Sequence, residues 1–498
     1  MFKSIRQTFF VAALIGGALV TIIAFQNFTF SYPYSFSYST ITITPTPTPV
    51  PTPASVDVSL LNGDYALVES KSVIYTGTDG ATAPPANGGT TSSTDRSLTT
   101  TFASYLQYTS ADLKVGDVFV VMADVEMSHQ SPSTEKTTAT VSAYLTCNGS
   151  RASAIMSKSL KRYYGNHHGA MVVSTACTAK SAQTPFVINL MAKSDLANGL
   201  IHGAQQTQLI VNHYRLLSAV ADRTLAYAPK DAASDKSPSM TITRTAVNAT
   251  EKSDFQNLPI AVGRGDLVYV SGQATASQPT GAIPMFGYEL YVGTSRVSYA
   301  TENLVAGGVP RLGQNLVAMW TAKSDLNFLN SKVIALRSDG ASTGLSLEGS
   351  FSRLLAIVFE KGLSARSLML KKLVSKVSTQ AVSLAPSEAN LHSPVQVEFK
   401  RAGILHIQSS AAFTSSAYGS SSCQIRLAVT GPSGVLRSIP SLRTFQPPYL
   451  KGSLSTEFVY EVPAAGVYTI QTLGACSGAN ATVAGGSSGL LIQGYEAD

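Results

Sequence analysis

Residues 113–128 read LKVGDVFVVMADVEMS, and a matching pattern returns at 262–277 as VGRGDLVYVSGQATAS. Both stretches contain a Gly-Asp pair, which is typical of a turn, and continue as runs rich in β-branched residues. Similar runs, separated by Gly, Ser, Pro and Asn, replace helical periodicity beyond residue 55. They predict many short strands, and therefore sandwiches or barrels.

Three further blocks repeat in the same order along the chain. They are CNGSRAS (147–153) with VGTSRVS (292–298), TACTAKS (175–181) with AMWTAKS (318–324), and TQLIVNHYR (207–215) with SRLLAIVFE (352–360). A weaker third copy opens at RAGILHIQSSAAF (401–413), where Gly403 corresponds to Gly116 of the first copy, and closes at SSGLLIQGYE (487–496). One repeated two-sheet unit accounts for this order.

The repeats predict an all-β protein with three tandem β-sandwich domains of the jelly-roll type, at 56–220, 238–361 and 380–498. A jelly roll is favoured over an immunoglobulin fold because no copy has the Cys…Trp…Cys order. The join at 367–380 has apolar residues at helical spacing. It is compatible with a short helix or with an edge strand that opens the third domain.

The cysteines indicate the cellular compartment in which the protein folds. The chain has four of them, Cys147, Cys177, Cys423 and Cys476. None belongs to a C-x-x-C pair, which argues against a zinc knuckle or a thioredoxin-like site. Two structural disulfides in an oxidising compartment are favoured over four buried thiols.

Alignment of the copies places Cys147 at Val292, and Cys177 at Trp320, the only tryptophan of the chain. We expect a disulfide to join two strands of the first copy, and Trp320 packed on Val292 to do so in the second. The pair formed by Cys423 and Cys476 is expected to join comparable strands of the third copy.

The N-terminus predicts export. Lys3 and Arg6 precede an apolar run at 9–25, and no acidic residue occurs before Asp57. The run is at the lower limit for crossing a bilayer, and the positive flank would stay in the cytoplasm. An uncleaved signal-anchor helix over 1–27 is favoured over a removed signal peptide. The bulk of the chain is then extracytoplasmic, on a cell or virion surface.

The segment 28–55 combines an aromatic strand with a stalk. FTFSYPYSFSYSTITIT (28–44) places rings at every second position up to residue 38, hence on one face of a strand. Three interpretations remain open: an aromatic belt at the membrane surface, a strand shared between copies in a homo-oligomer, and an edge strand on the first domain. TPTPTPVPTP (44–53) predicts a stiff polyproline II stalk.

Charge and motifs exclude several classes of function. Only 13% of the residues are charged, and a net charge of +7 is scattered, which argues against a nucleic-acid partner. No phosphate-binding, dinucleotide or zinc-protease motif is present. We therefore predict no cofactor, no metal site and no catalytic residues.

Candidate binding residues come from the polar and aromatic stretch YYGNHHGA, and they are Tyr163, Tyr164, Asn166, His167 and His168. A surface loop of this composition suits contact with a glycan or a protein. Asp124 and Glu126 share one strand face near His129, and we interpret them as a solvated outer face. His406 alternates with apolar neighbours and is predicted to be structural.

These patterns favour a non-enzymatic, membrane-anchored surface or spike-like protein that binds a glycan or protein partner through sandwich loops. One alternative is an exported carbohydrate-active enzyme, or its accessory module, with Asp124, Glu126 and the 163–168 loop as its site. The other is a structural subunit of an appendage or virion.

Overall fold

The computed structural model describes residues 61–75, 96–110, 112–129, 138–161, 167–181, 185–197, 199–236, 240–242, 252–277, 285–303, 311–336, 345–415, 421–445, 451–477 and 481–497. In this part of the chain the only helical turns are two 3-10 turns, at Leu217–Ala219 and Gly349–Phe351. The predicted all-β, sandwich-like fold is confirmed. The predicted anchor helix and stalk, residues 1–55, lie outside the described residues.

The first third of the chain forms a sandwich of two antiparallel sheets. Its strands are β1 (Tyr65–Tyr75), β2 (Arg96–Ser97), β3 (Ala103–Ser110), β4 (Val118–His129), β5 (Thr138–Cys147), β6 (Ser150–Arg151), β7 (Met156–Lys161), β8 (His167–Thr178), β9 (Phe186–Ser194), β10 (Gly199–Ile201) and β11 (Ala204–Leu216). The inner sheet has the order β1-β11-β4-β8. The outer sheet has the order β3-β9-β5-β7.

The second third repeats this topology. Its strands are β12 (Tyr227–Lys236), β13 (Met240–Ile242), β14 (Lys252–Val262), β15 (Leu267–Ser277), β16 (Met285–Val292), β17 (Ser295–Asn303), β18 (Arg311–Thr321), β19 (Leu326–Leu336), β20 (Leu345–Leu347) and β21 (Arg353–Lys361). The inner sheet is β12-β21-β15-β18, and the outer sheet is β14-β19-β16-β17. β12 precedes the predicted boundary at 238.

The last third has the same order again. Its strands are β22 (Leu368–Val377), β23 (Val382–Leu384), β24 (Ala389–Asn390), β25 (Val395–Phe399), β26 (Gly403–Ser415), β27 (Ser421–Gly431), β28 (Gly434–Arg437), β29 (Ser441–Phe445), β30 (Lys451–Val462), β31 (Gly466–Ser477) and β32 (Ala481–Ala497). The inner sheet is β22-β32-β26-β30. The outer sheet is β25-β31-β27, with β28 and β29 sharing the last place. The join at 367–380 therefore contains a strand, β22, not a helix.

A β-bulge marks the same place in all three opening strands. The register with the closing strand shifts between Leu67 and Glu69 in β1, between Pro229 and Asp231 in β12, and between Leu370 and Lys372 in β22. An irregularity repeated at one position of three strands is a feature of the unit. The three copies are therefore equivalent residue by residue in this region.

The three opening strands also meet each other in a cyclic order. Leu67 of β1 pairs with Tyr227 of β12, and Leu370 of β22 pairs with Tyr65 of β1. The pairing that would close the cycle involves Pro229, which has no backbone N–H, and this bridge does not form in the described strands. The sandwiches are thus arranged with approximate threefold symmetry.

Each inner sheet packs on both of its faces. All 12 residues of β4 are buried, which explains why this strand lacks apolar–polar alternation. Phe119 and Val121 belong to the core of the first sandwich. Val120 and Met122 face the other way, into a core shared with the second and third sandwiches. One apolar core therefore joins all three.

The Gly-Asp pair that opens the repeated motif fixes a turn. Gly116 has φ 90° and Gly265 has φ 93°, which favour glycine. The carboxylate of Asp117 accepts a hydrogen bond from the Lys114 N–H at 2.9 Å, and Asp266 accepts one from the Gly263 N–H at 2.7 Å. The motif repeats because both turns need these two residues.

The third copy builds this turn differently. The register places Gly403 opposite Glu496, so Gly403 stands where the other copies have Asp117 and Asp266, and the predicted equivalence of Gly403 with Gly116 is wrong. Glu496 of the closing strand supplies the carboxylate and accepts from the Lys400 N–H at 3.0 Å. The third copy looks weak in sequence because its carboxylate comes from another strand.

Both predicted disulfides are present. Cys147 and Cys177 join β5 of the outer sheet to β8 of the inner sheet. In the second sandwich, Trp320 packs against the core cluster that contains Val292, as predicted. A covalent bond and an indole ring thus hold equivalent places between two sheets.

The second disulfide lies elsewhere in its sandwich. Cys423 and Cys476 face each other on β27 and β31, neighbouring strands of one sheet. The prediction that they join strands comparable to those of the first copy is wrong. Tyr460 occupies the place equivalent to Cys177, and its ring lies 5.8 Å from that of Tyr468. The third sandwich closes this place with aromatic packing and needs no bridge there.

A buried polar network crosses the shared core. Tyr269 of the second sandwich donates to Glu457 Oε1 of the third at 2.7 Å. Glu457 also bonds the ring of His406, which is buried, as its predicted structural role requires. The network ties two sandwiches through one carboxylate.

Its other arm reaches the first sandwich. Gln493 Nε2 bonds His406 Nδ1 at 3.0 Å, and Tyr495 donates to Gln493 Oε1 at 2.8 Å. The Tyr495 hydroxyl lies 2.8 Å from that of Tyr214, in the closing strand of the first sandwich. Every sandwich therefore contributes a hydrogen-bonding side chain to the centre.

Candidate binding site

The predicted binding loop is only partly described. Tyr163, Tyr164 and Asn166 lie outside the described residues. His167 and His168 begin β8, where their backbones pair with His129 and Ser128 of β4. β8 begins at the end of the sheet opposite to the end at which the chain enters β1, because neighbouring strands of the sheet are antiparallel.

Asp124 and Glu126 are not a solvated face, so that interpretation is wrong. Both are completely buried, because the face that carries them packs against the second sandwich. Ser298 of the second sandwich donates to Asp124 Oδ2 at 3.0 Å. Burial raises the pKa of Asp124 well above its ordinary value. Neither carboxylate reaches solvent, where a substrate would have to approach.

An open cleft lies between β1 of the inner sheet and β3 of the outer sheet of the first sandwich. Its volume is about 580 Å³, within the ~300–1,000 Å³ typical of ligand sites. The lining residues are Val68, Glu69, Lys71, Ser72, Val73, Tyr108, Thr109, Ser110, Asp112, His213 and Arg215. Most of them are polar or charged, unlike the apolar interior behind them.

Arg215 and His213 form the floor of the cleft over a buried carboxylate, that of Asp117. Arg215 donates to Asp117 through Nη2 at 2.8 Å and through Nε at 3.1 Å, and to Asp112 Oδ2 through Nη1 at 2.9 Å. His213 Nε2 lies 2.8 Å from Asp117 Oδ2, and its ring stacks on Phe119 at 4.5 Å. The guanidinium and the imidazole are therefore both held rigidly.

Paired charges shift the ionisation of this floor. Burial alone would raise the pKa of Asp117, but hydrogen bonds from His213, Arg215 and the Lys114 N–H outweigh it and lower the pKa to about 2. The hydrogen bond from Arg215 lowers the pKa of Asp112. The hydrogen bond to Asp117 raises the pKa of Arg215. All three groups are charged at neutral pH.

The wall of the cleft carries a second paired set. The Tyr108 hydroxyl donates to Glu69 Oε2 at 2.8 Å, and Lys71 Nζ lies 3.4 Å from Glu69 Oε1. Burial and the hydrogen bond to Glu69 raise the pKa of Tyr108, so the phenol stays protonated. Its single O–H is therefore a fixed donor to Glu69.

The positions equivalent to these cleft residues carry different residue types in the other two sandwiches. The strand registers place Leu258 and Val397 where the first sandwich has Tyr108. The pairing of the opening and closing strands gives the other two equivalences. Val358 and Gly494 replace His213, and Glu360 and Glu496 replace Arg215. The jelly roll therefore folds without the polar set.

The sequence contained a signal for this site that its motifs did not reveal. Alignment of TQLIVNHYR with SRLLAIVFE sets His213 against Val358 and Arg215 against Glu360. A histidine that faces a valine in the other copy, and an arginine that faces a glutamate, indicate a copy-specific site. Tyr108 and Glu69 lie outside the four repeated blocks and gave no such signal.

Two kinds of feature are absent from the described part of the chain. No helix there has the length and apolar character needed to cross a membrane. No group of three or more His, Cys, Asp or Glu side chains among those residues is arranged to hold a metal ion.

Comparison with known proteins finds no matching family model and no matching curated protein. Among solved structures the chain is similar to the N-terminal CBM22-1-CBM22-2 tandem domain of Xyn10C from Paenibacillus barcinonensis, with 10% identity over 54% of this chain and 92% of that one, at a TM-score of 0.16. It is also similar to the VP2 subviral particle of infectious bursal disease virus, with 9% identity over 53% of this chain and 78% of that one, at a TM-score of 0.17.

A third similarity is to Sulfolobus Turreted Icosahedral Virus, with 9% identity over 81% of this chain and 90% of that chain, at a TM-score of 0.11. TM-scores this low do not establish a shared fold. Nothing about the function of this chain follows from these three similarities.

Proposed function

We propose that the protein is a membrane-anchored, extracytoplasmic binding protein without catalytic activity, and that it binds its ligand in the cleft of the first sandwich. Two disulfides support an oxidising extracellular or virion setting. The apolar run at 9–25 is the proposed anchor, and the 44–53 segment is the proposed stalk.

The polar cluster present in one of three equivalent sandwiches carries this proposal. Two copies fold with Leu258 or Val397 in place of Tyr108, so folding does not require the polar set. Burying the charges of Arg215 and Asp117 costs desolvation free energy that apolar side chains would avoid. Arg215 lines the cleft despite this cost, which supports a binding role.

The experiment is a ligand screen of the full chain in lipid nanodiscs, with a variant that copies the second sandwich, Tyr108→Leu with His213→Val. We expect this variant to stay folded and to lose ligand binding. Tyr291→Phe is the matched control, because Tyr291 donates to Glu289 in the second sandwich at 2.6 Å, away from the cleft. Ligand binding that survives in the folded double variant would refute the cleft as the site.

The loop that contains Tyr163, Tyr164, Asn166, His167 and His168 is a second proposed contact. The strand that follows it, β8, begins at the end of the sandwich opposite to the entry of the chain. Alanine substitution of Tyr163 and Tyr164 in the same screen tests whether the loop adds to the affinity. Unchanged affinity removes the loop from the proposal.

Residues 28–44 are proposed to join copies of the chain into a homo-oligomer. Deleting them and measuring the mass in solution tests this role, and an unchanged mass contradicts it. A protein that assembles through 28–44 but binds nothing in the screen would be a structural subunit of an appendage or virion.

A further inference from the structure

We infer that the ligand of the first-sandwich cleft is a neutral, polyhydroxylated one, a sugar unit of a glycan without ionised groups. This inference rests on the proposed function and adds the class of ligand. It is carried by the charge balance, the fixed hydrogen-bonding groups and the mixed lining of the cleft.

The ionised side chains of the cleft already have partners. Lys71 is 3.4 Å from Glu69, and Arg215 is 2.9 Å from Asp112. Arg215 is paired a second time with Asp117 behind the cleft, so neither cation of the lining is left without an anionic partner. An anionic ligand on Arg215, whose side chain is only 9% exposed, would have to displace Asp112 or the buried Asp117 from it, whereas a neutral ligand leaves these pairs intact.

The cleft offers donors and acceptors side by side. Carboxylate oxygens of Glu69 and Asp112 accept more than one hydrogen bond each, and the Lys71 ammonium has three N–H donors. A sugar hydroxyl donates and accepts at once, so it matches a wall where both kinds of group alternate. Bonds to ionised groups are the stronger ones, which gives uncharged hydroxyls useful affinity.

These groups are also fixed before a ligand arrives. Arg215 makes four hydrogen bonds, two to Asp117, one to the Asp112 carboxylate and one to the Asp112 carbonyl oxygen at 3.1 Å. The Tyr108 ring is buried, and its hydroxyl is directed at Glu69. Preorganised groups lose little conformational entropy on binding, which favours recognition of a small ligand.

The rest of the lining is apolar. Val68 stands at the bulge of β1, and Val73 is buried further along the strand. Sugar rings combine an apolar C–H face with a polar edge, and this cleft combines an apolar and a polar wall. An extended apolar chain would leave the charged wall without hydrogen bonds, which disfavours a lipid or an apolar peptide.

The test is calorimetric titration of the full chain in nanodiscs with three sets of probes. They are neutral tetrasaccharides built from glucose, mannose or N-acetylglucosamine, oligogalacturonate as the acidic arm, and chitosan oligomers as the cationic arm. We expect binding in the neutral set only, with an affinity that does not change between low and high salt.

Glu69→Gln should weaken that binding by about tenfold or more, because it replaces a charged acceptor by a neutral amide. Tyr291→Phe should leave it unchanged. If no neutral oligosaccharide binds, or if the affinity falls steeply with salt, the inference is overturned. The proposed function then survives if an acidic, cationic or peptide ligand binds and loses affinity in the Tyr108→Leu, His213→Val variant, and it falls if none does.

Discussion

Asp117 and Asp266 show how equivalent residues acquire different roles. Both fix the turn of the Gly-Asp motif through a backbone N–H. Asp266 adds one further backbone N–H, that of Lys361 at 3.0 Å. Asp117 instead meets Arg215 and His213, and thus becomes part of the candidate binding site. The same carboxylate is structural in one copy and the centre of a charged cluster in another.

At this scale we predict that Asp117→Asn is far more destabilising than Asp266→Asn. The first removes one partner of a buried charge pair and presents an NH₂ group to Arg215, at a cost of about 3–5 kcal/mol. The second keeps an amide oxygen for one of its two backbone donors and loses the other hydrogen bond, at a cost of about 1–2 kcal/mol. Urea unfolding of both variants measures the difference, and equal losses would contradict the assigned roles.

At the scale of elements, one place between β5 and β8 is closed in three ways. The first sandwich has the disulfide between Cys147 and Cys177. In the second sandwich Trp320 packs on the core cluster that contains Val292, and in the third the ring of Tyr460 packs beside that of Tyr468. The fold requires only that side chains fill this space and hold the two sheets together. Several side-chain types supply it.

We predict that Cys147→Ser with Cys177→Ser lowers the free energy of unfolding by about 2–4 kcal/mol. Cys147→Val with Cys177→Trp, which copies the second sandwich, should recover part of this loss because an aromatic ring again fills the space. Thermal unfolding of both variants measures the recovery. If the Val/Trp variant is no more stable than the Ser variant, the places are not interchangeable. Both variants should remain sensitive to reductant through Cys423 and Cys476.

At the scale of the molecule, the three sandwiches share one core and one polar network. Val120, Tyr269 and Tyr495 come from different sandwiches and lie in the same apolar cluster. Asp124 adds a buried carboxylate between the first and second sandwiches. Stability of the whole should therefore respond to single groups at these contacts.

We predict that stability declines as the pH rises through the range in which Asp124 ionises. Burial raises the pKa of Asp124, so its contribution is complete below the ordinary value of 3.8 and is lost as the pH rises toward the folded-state pKa. Asp124→Asn cannot ionise and should lose less thermal stability between pH 4 and higher pH than the native chain. Parallel pH profiles for the two proteins would contradict the assignment.

We also predict that Tyr269→Phe destabilises the molecule more than Tyr214→Phe. The first removes a hydrogen bond to the Glu457 carboxylate, worth about 1.5–3 kcal/mol, and the second a bond between two neutral hydroxyls, worth about 0.5–1.5 kcal/mol. Chemical unfolding monitored by circular dichroism gives both values. The reverse order would mean that Glu457 does not hold the second and third sandwiches together.

Much of the fold was predictable because it depends on local sequence patterns. The repeated Gly-Asp turn, the strand runs and the Cys147 and Cys177 alignment each depend on residues near one another in the chain or on copies compared with each other. Sequence failed for Asp124 and Glu126, because the strand face that carries these two carboxylates was covered by another sandwich. It failed for Cys423 and Cys476, because spacing does not say which strands are neighbours.

The sequence by itself determined a thrice-repeated β-sandwich with two disulfides, since turn chemistry and side-chain period act within a few residues. Only the tertiary structure decided that inner sheets are buried on both faces and that Glu69, Tyr108 and Arg215 meet at one cleft. These side chains come from strands far apart in the chain. Their meeting depends on which sheet faces which, and no local pattern encodes that.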